Sequence, residues 1–238
     1  MIKRFIQTEK QAYRQLLRTV PTLAVTLFVL AVVSMNLLAN KELVRLPWLA
    51  LDCGYALSWL PFLVMDCICK VFGGKAAMRI SVLAIAINLL TFFLFKLILL
   101  TPGYWGEYYA NPIPQINDAI NHTIGGSSWI VLGSAFAMLV SSGVNALINV
   151  LIGKHLQRDN FSTFALRSFV STGIAQFVDN LVFCLVVSIP LFGWNMKQTL
   201  VCSLTCATLE LLLEITFSRF GYRIARQWQQ NPETHPTL

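Results

Sequence analysis

Charged residues are scarce in this sequence. Only 12% of its 238 residues are charged, whereas 56% are apolar, and the mean hydropathy is +0.63. A soluble domain of this composition would aggregate, because soluble proteins carry about 25% charged residues. The composition therefore excludes a separate soluble domain and indicates an integral membrane protein.

Motifs for metal binding and hydrolysis are missing as well. The chain has three His and six Cys, but Cys67-x-Cys69 and Cys202-xxx-Cys206 lie in or beside apolar runs, without paired CxxC or CxxH spacing. The His-Glu-x-x-His and Gly-x-Ser-x-Gly signatures of zinc proteases and serine hydrolases are absent. We predict no metal, no cofactor and no enzymatic activity. This disfavours an intramembrane enzyme that would use buried carboxyl groups as acid and base.

Apolar runs of the length that crosses a bilayer, about 20 residues, recur along the chain. Six of them cover residues 21–39, 55–72, 80–100, 129–152, 169–191 and 198–220. The second is the least regular, because Asp52, Gly54 and Pro61 interrupt it. It predicts either a kinked span or a re-entrant segment. We predict an all-α integral membrane protein, a bundle of six transmembrane helices.

Basic residues indicate the orientation of these spans. Fourteen of the 18 Lys and Arg residues fall in four segments, 1–20, 70–79, 154–167 and 219–226, and these alternate with nearly uncharged loops. Short loops rich in Lys and Arg stay in the cytoplasm. Both termini should therefore be cytoplasmic, in the cell (inner) membrane, which six spans allow and five do not.

The same pattern divides the chain into three parts. Residues 1–20 are basic and amphipathic and predict a cytoplasmic helix on the membrane surface. Residues 21–222 form the predicted six-helix transmembrane domain, and residues 223–238 form a cytoplasmic tail. The 101–128 loop holds four aromatic residues and three prolines, which favours an aromatic belt at the outer interface over a lid.

Polar groups inside apolar spans are costly and point to function. In the fifth span, Gln176, Asp179, Asn180 and Phe183 follow the i, i+3, i+4, i+7 spacing and share one helix face. Such a stripe either joins helices by hydrogen bonds or binds a flat polar solute by stacking and edge pairing. Three polar groups within five residues favour the solute site.

Three further spans carry acids or amides. Glu210 and Glu214 lie one turn apart in the sixth span, which leaves both proton coupling and an interhelical hydrogen bond open. Asp66 ends the second run, and Asn145 and Asn149 share a face of the fourth. We predict that these groups meet in a single wet pocket that carries a small polar solute.

Three motifs resemble the queuosine-precursor transporter family, which is also classed among the vitamin-uptake transporters. Phe62-xxx-Asp66, followed by a glycine turn and the basic Lys75, resembles the family's aromatic-xxx-Asp signature. The Gln176-xx-Asp179-Asn180-xx-Phe183 stripe and Glu214 with Tyr222 resemble its fifth-span and closing patterns. The resemblance covers residues 25–225. Glu210 and Asn149 depart from the family, which usually has a Lys and often has an Asp at these positions.

The resemblance implies import of a 7-deazaguanine for salvage into tRNA modification, such as 7-cyano-7-deazaguanine, its aminomethyl form or queuine. Asp179 or Asp66 would accept the paired N–H groups of the base, and Glu210 would meet an aminomethyl cation. The amide of Gln176, Asn180 or Asn145 would meet the carbonyl of the base. Phe183 or Phe62 would stack on its ring. The complete predicted set is Phe62, Asp66, Asn145, Asn149, Gln176, Asp179, Asn180, Phe183, Glu210 and Glu214.

Other partners and roles follow from the same features. The chain has no Gly-x-x-x-x-Gly-Lys-Ser/Thr loop of its own, so an alternative is the substrate-binding membrane subunit of an ATP-driven vitamin or small-solute uptake complex. A structural or assembly factor is a further alternative. The basic residues lie between apolar runs and form no continuous face, so we predict lipid contact and no direct nucleic-acid binding. Small residues between 125 and 143 would permit a homodimer.

Overall fold

The computed structural model of the chain describes residues 2–106, 109–125, 128–155 and 160–230. Nearly all of its elements are helices, joined by short turns and one small hairpin. In chain order they are α1 (Ile2–Thr19), α2 (Thr22–Leu38), β1 (Glu42–Arg45), β2 (Ala50–Asp52), α3 (Tyr55–Phe72), α4 (Gly74–Leu99), α5 (Pro114–Gly125), α6 (Ser128–His155), α7 (Phe161–Phe183), α8 (Ile189–Phe192) and α9 (Met196–Gln230). A π-helical turn, Cys184–Ser188, joins α7 to α8.

Five helical stretches are long and apolar enough to cross a bilayer. They are Tyr55–Phe72, Gly74–Leu99, Pro114–His155, which runs across the undescribed residues 126–127, Phe161–Ser188 and Met196–Gln230. A sixth is reached only if α1 and α2 count together, although they are bent by 107°. The expected all-α multi-pass class is confirmed, while the count of six spans stays a prediction.

The bend between α1 and α2 lies at Pro21, which precedes the first residue of α2. Arg79 of α4 holds α1 in this position, because its Nε and Nη2 atoms donate to the Glu9 carboxylate at 3.0 and 2.9 Å. Tyr13 also donates to the carbonyl oxygen of Arg79 at 3.1 Å. The Arg79 hydrogen bond lowers the pKa of the Glu9 carboxyl group. These contacts tie α1 to the start of α4.

The irregular second run becomes an antiparallel hairpin followed by a continuous helix. Strands β1 and β2 pair, Asp52 and Gly54 lie ahead of α3, and Pro61 lies inside this helix without ending it. The structure therefore has a helix and not a re-entrant loop over residues 55–72. Gly73, with φ +85°, ends α3 in a conformation that favours glycine, and its N–H donates to the carbonyl oxygen of Cys69.

The helices place apolar side chains both inside and outside the bundle. Phe28, Ile68 and Ile80 are fully buried where α2, α3 and α4 meet. On the outer surface, Phe93 and Phe136 are more than half exposed, at 58% and 54%. Water would disfavour so much exposed aromatic surface, whereas the hydrocarbon of a bilayer accepts it. The interior between α3, α6, α7 and α9 is instead rich in polar side chains.

The two ends of the bundle differ in which connections and basic residues they carry. We call the end that carries β1, β2, α5 and α8 the hairpin end; Lys41, Arg45, Lys96 and Lys197 belong to it. The remaining basic residues that the structure describes belong to α1 and to the opposite ends of the spans, while Arg158 and the tail residues 231–238 lie outside the described residues. The predicted tail boundary at 223 falls inside α9. Orientation in the membrane stays a prediction.

A labelling experiment checks that orientation. With Cys53 replaced by Ser to lower the background, Glu42→Cys in the exposed hairpin should react with a membrane-impermeant maleimide on intact cells. The matched variant Lys75→Cys, exposed at the other end, should react only after the cells are permeabilised. The reverse pattern would place the hairpin in the cytoplasm and contradict the charge argument.

A second prediction concerns the close packing of α6 on the π-helical turn. A Cβ atom added to Gly133 would lie 2.2 Å from Cγ2 of Val187, and the β-branched Val side chain cannot rotate away freely. Gly133→Ala should therefore lower the free energy of unfolding by about 1–3 kcal/mol, as overpacking does, measured as a lower Tm in detergent. Gly143→Ala is the control, because its nearest neighbour is the flexible Met78 methyl group at 3.4 Å, and its Tm should not fall.

Candidate functional site

The polar side chains of the bundle form two centres. One lines a cavity that opens toward the hairpin end, and we call it the polar cavity. The other is a pair of fully buried acids, Asp66 and Glu214, with the side chains that surround them, and we call it the carboxyl pair. The same four helices, α3, α6, α7 and α9, contribute to both centres.

The polar cavity is an open cleft of about 50 Å³ between α2, the hairpin, α3, α6, α7 and α9. This volume is below the range of about 300–1,000 Å³ that small-molecule sites occupy, so the helices must move apart before a solute can enter. Its lining includes three acids, two amides and two aromatic rings, namely Asp52, Asp179, Glu210, Asn36, Asn180, Tyr55 and Phe183. No Lys or Arg is among the described residues that line it. The cavity is therefore rich in hydrogen-bond acceptors, and the acids in its lining face no basic side chain there.

Glu210 joins three helices at the wall of the polar cavity. Its side chain is 1% exposed and accepts hydrogen bonds from the Ser58 hydroxyl of α3 and from Nδ2 of Asn180 in α7, the latter at 3.2 Å. The second N–H of the Asn180 amide donates to the carbonyl oxygen of Gln176 at 2.9 Å. Buried carboxyl groups need such donors, since an unpaired one is expensive in an apolar interior.

Asp179 has more free capacity than Glu210. Its Oδ1 atom accepts from the Ser141 hydroxyl of α6 at 2.6 Å, and among the described residues Oδ2 has no hydrogen-bond partner. Asp179 also borders a smaller apolar recess of about 10 Å³, which Phe62, Met65 and Met138 line. The two spaces share Ser58 and Asp179 and therefore adjoin each other.

Asp52 adds a third carboxyl group from outside the spans. Its Oδ1 atom accepts the Gly54 N–H at 2.7 Å. Burial raises the pKa of Asp52 to about 6, and the charge of Glu42 adds to this shift, while the Gly54 hydrogen bond opposes it. Asp52 is thus mostly ionised at neutral pH and becomes neutral in mild acid.

The carboxyl pair lies deeper, between α3, α6, α7 and α9. Asp66 is 1% exposed, and its Oδ1 atom accepts from Nδ2 of both Asn145 and Asn149 at 2.9 Å. Its Oδ2 atom accepts from Thr172 at 2.9 Å and is also hydrogen-bonded to the Ser168 hydroxyl. Four donor side chains from α6 and α7 therefore surround one carboxylate.

Glu214 and Arg167 complete this centre. Oε1 of Glu214 lies 2.6 Å from Oγ of Ser168, whereas its Oε2 is buried without a partner among the described residues. Nε of Arg167 donates to Oδ1 of Asn149 at 2.5 Å. The Asn149 amide therefore connects the positive charge of Arg167 to the Asp66 carboxylate.

The structure divides the predicted site residues between the two centres. Asp179, Asn180, Phe183 and Glu210 line the polar cavity, and Phe62 lines the recess beside it. Asp66, Asn145, Asn149 and Glu214 belong to the carboxyl pair. Glu210 and Glu214, although one turn apart, have different partners. Gln176 lies between the centres on α7, 0% exposed, with neither side-chain polar atom hydrogen-bonded.

Several contributing residues were not among the predicted ones. Ser168 and Thr172 continue the α7 stripe toward the N-terminus at spacings of four residues, since they precede Gln176 by eight and four positions. Ser58 lies about two turns before Asp66 on α3. This periodicity was visible, but Ser and Thr are common in membrane helices, where their hydroxyls often bond their own backbone. The sequence marks Asp52 only as an interruption of the second apolar run, because a residue in a connection has no helical periodicity that would place it beside the other acids.

The matches to known proteins agree with this geometry. The sequence profile of the family described as "Putative vitamin uptake transporter" matches residues 52–225. No curated protein and no solved structure matches the chain significantly. The matched range runs from the last residue of β2 through most of α9, and it contains the carboxyl pair and the three acids of the polar cavity. The chain therefore belongs to this family of vitamin uptake transporters.

Proposed function

We propose that this membrane transporter imports a queuosine precursor, a 7-deazaguanine base, which binds in the polar cavity. The observation that carries the proposal is the acceptor-rich lining, in which Asp52, Asp179 and Glu210 occur without a Lys or Arg among the described lining residues. Such a lining suits a neutral or cationic solute with many N–H groups. It disfavours an anionic vitamin, because like charges repel strongly in a site of low dielectric.

A 7-deazaguanine fits these acceptors in its chemistry. Its ring N–H and exocyclic amine form an adjacent donor pair, which one carboxylate accepts together. Asp179 supports this pairing best, since its Oδ2 atom has no partner among the described residues. The carbonyl of the base requires a donor, for which the Asn180 amide in the lining would exchange one of its two protein hydrogen bonds.

Other side chains near Asp179 would contact the flat ring of the base and its side group. Phe183 in the cavity wall and Phe62 in the adjoining recess offer aromatic faces for stacking. Glu210 would pair with an aminomethyl cation, if the solute carries one. This acid stands where the resembled family usually has a Lys, so we expect the chain to favour the aminomethyl base over the cyano base.

Salvage into tRNA tests the function directly. A host that makes no queuosine precursor and has no carrier of its own would express this chain and receive each deazapurine in the medium. We expect queuosine to reappear in its tRNA, as measured by mass spectrometry of nucleosides. If no deazapurine restores the modified base while the protein is present in the membrane, the substrate proposal fails.

Reconstitution separates this proposal from the ATP-driven alternative. Purified protein in liposomes should take up a labelled deazapurine without ATP or any second protein. Uptake that appears only after a partner ATPase is added would show instead a substrate-binding subunit of a larger complex. No transport of any solute, together with loss of another complex when the chain is deleted, would favour an assembly factor.

Two isosteric substitutions test the polar cavity. Asp179→Asn and Glu210→Gln should each lower uptake at low solute concentration about tenfold to a hundredfold, because a hydrogen bond to a charged group contributes about 1.5–3 kcal/mol. Asp118→Asn is the matched control, since Asp118 is an exposed acid of α5 that does not line the cavity. Normal uptake by both cavity variants at equal membrane abundance would remove these acids from the site.

A further inference from the structure

Neither acid of the carboxyl pair lines the polar cavity, and both are fully buried. Asp66 and Glu214 are 1% and 0% exposed, and the Ser168 hydroxyl is hydrogen-bonded to both. Two charges in such a place would repel each other, and each would lose its hydration. The arrangement is stable only if each close pair of oxygen atoms in it shares a hydrogen atom.

The count of hydrogen atoms at Ser168 shows that a proton is bound. A hydroxyl group has one hydrogen to donate, but Oγ of Ser168 is close to Oδ2 of Asp66 and lies 2.6 Å from Oε1 of Glu214. Ser168 can donate to only one of these oxygens. The other contact is favourable only if its carboxyl group carries a proton and donates to Ser168.

The remaining partners place this proton on Glu214. Asp66 has three donors besides Ser168, from Asn145, Asn149 and Thr172, as an ionised carboxylate requires. Oε2 of Glu214, by contrast, is completely buried and has no hydrogen-bond partner in the part of the chain that the structure describes. An ionised Glu214 would leave that charge-bearing oxygen unsolvated, which is far more costly than leaving one neutral carbonyl oxygen unpaired.

Nearby charged groups do not neutralise Glu214 in another way. On α3 the titratable neighbours are Asp66, Cys67 and Lys70, and Nζ of Lys70 lies 5.6 Å from the ring centroids of Phe164 and Tyr222. On α7 the charged neighbour is Arg167, which donates to Asn149. The α6 side of the pair consists of the Asn145 and Asn149 amides, and on α9 Glu210 lies one turn away. Among the described residues Glu214 has no salt bridge.

We propose that Glu214 carries an exchangeable proton, in contact with Asp66 through Ser168, and that this proton crosses the membrane together with the solute. This rests on the proposed function, because it names the coupling ion of the same carrier. The two centres share their supports: α3 contributes Ser58 and Asp66, α9 contributes Glu210 and Glu214, and α7 contributes Asn180 and Ser168. Loss of the proton would leave two like charges across Ser168 and push α9 away from α3 and α7. A movement of these helices would change the polar cavity as well.

Gradient-driven uptake tests the coupling. Liposomes that contain the full chain would receive labelled 7-aminomethyl-7-deazaguanine at fixed external pH, with the internal pH equal or one unit higher. Fixing the external pH keeps the protonation of Asp52 the same in both arms. The wild type should accumulate about tenfold more solute with the gradient, since one pH unit supports a tenfold ratio at one proton per solute, and a protonophore should abolish the difference.

Variants identify the group that binds the proton. For Glu214→Gln and for Ser168→Ala, the ratio of uptake with the gradient to uptake without it should fall from about tenfold to about one. Asp118→Asn should keep the tenfold ratio. Wild-type uptake that is clear but independent of the gradient would overturn the proton proposal and leave the proposed function intact. A tenfold ratio in Glu214→Gln would overturn it as well.

Infrared spectroscopy tests whether Glu214 carries a proton without any solute. The test therefore remains valid even if the protein transports no deazapurine. At neutral pH the purified wild type should show the C=O stretch of a protonated carboxylic acid, shifted in D₂O, which is absent from Glu214→Gln. If Glu214→Gln does not fold, Ser168→Ala should still shift this band, because the acid loses its hydrogen-bond acceptor. If the carboxylic-acid band of either folded variant is the same as that of the wild type, Glu214 holds no proton.

Discussion

Burial of the Asp66 carboxylate constrains how four helices of this bundle meet. An ionised group in an apolar interior requires several donors, and α3 cannot supply them from its own side chains. Asn145 and Asn149 supply them from α6, and Ser168 and Thr172 from α7. Through Ser168 the same group fixes Glu214 of α9. The hydrocarbon-facing surface contributes no comparable specificity, because apolar side chains pack almost equally well against lipid and against each other.

The two polar centres differ in what they leave unsatisfied. In the carboxyl pair most donors and acceptors have protein partners, and Oδ1 of Asn145 and Oε2 of Glu214 are the exceptions among the described residues. In the polar cavity, Asp179 keeps a free oxygen beside an open cleft. The proposed proton would remove the charge from the unpaired Glu214 oxygen, whereas the free oxygen of Asp179 suits a solute with N–H groups. Gln176 is buried on α7 between the two centres, and its side chain has no hydrogen-bond partner among the described residues.

The departures from the resembled family have physical consequences in these centres. Asn149 stands where the family often has an Asp, and its amide donates to Asp66 while it accepts from Arg167. An Asp at this position would face Asp66 with a like charge and would need its own proton or cation. Glu210 replaces a Lys in the wall of the polar cavity, so the lining is more negative than the family pattern implies.

Hydropathy and helical periodicity by themselves determined the class of this protein, the approximate position of five long apolar helices and the α7 stripe from Gln176 to Phe183. Bilayer thickness sets the length of an apolar run, and 3.6 residues per turn sets its faces. The tertiary structure alone decided that Glu210 and Glu214 have separate partners, that Asp52 joins the cavity from a hairpin, and that α1 turns away from α2. Periodicity defines which residues share a helix face. It does not define which neighbouring helix meets that face, and this depends on how helices distant in the sequence pack to satisfy their buried polar groups.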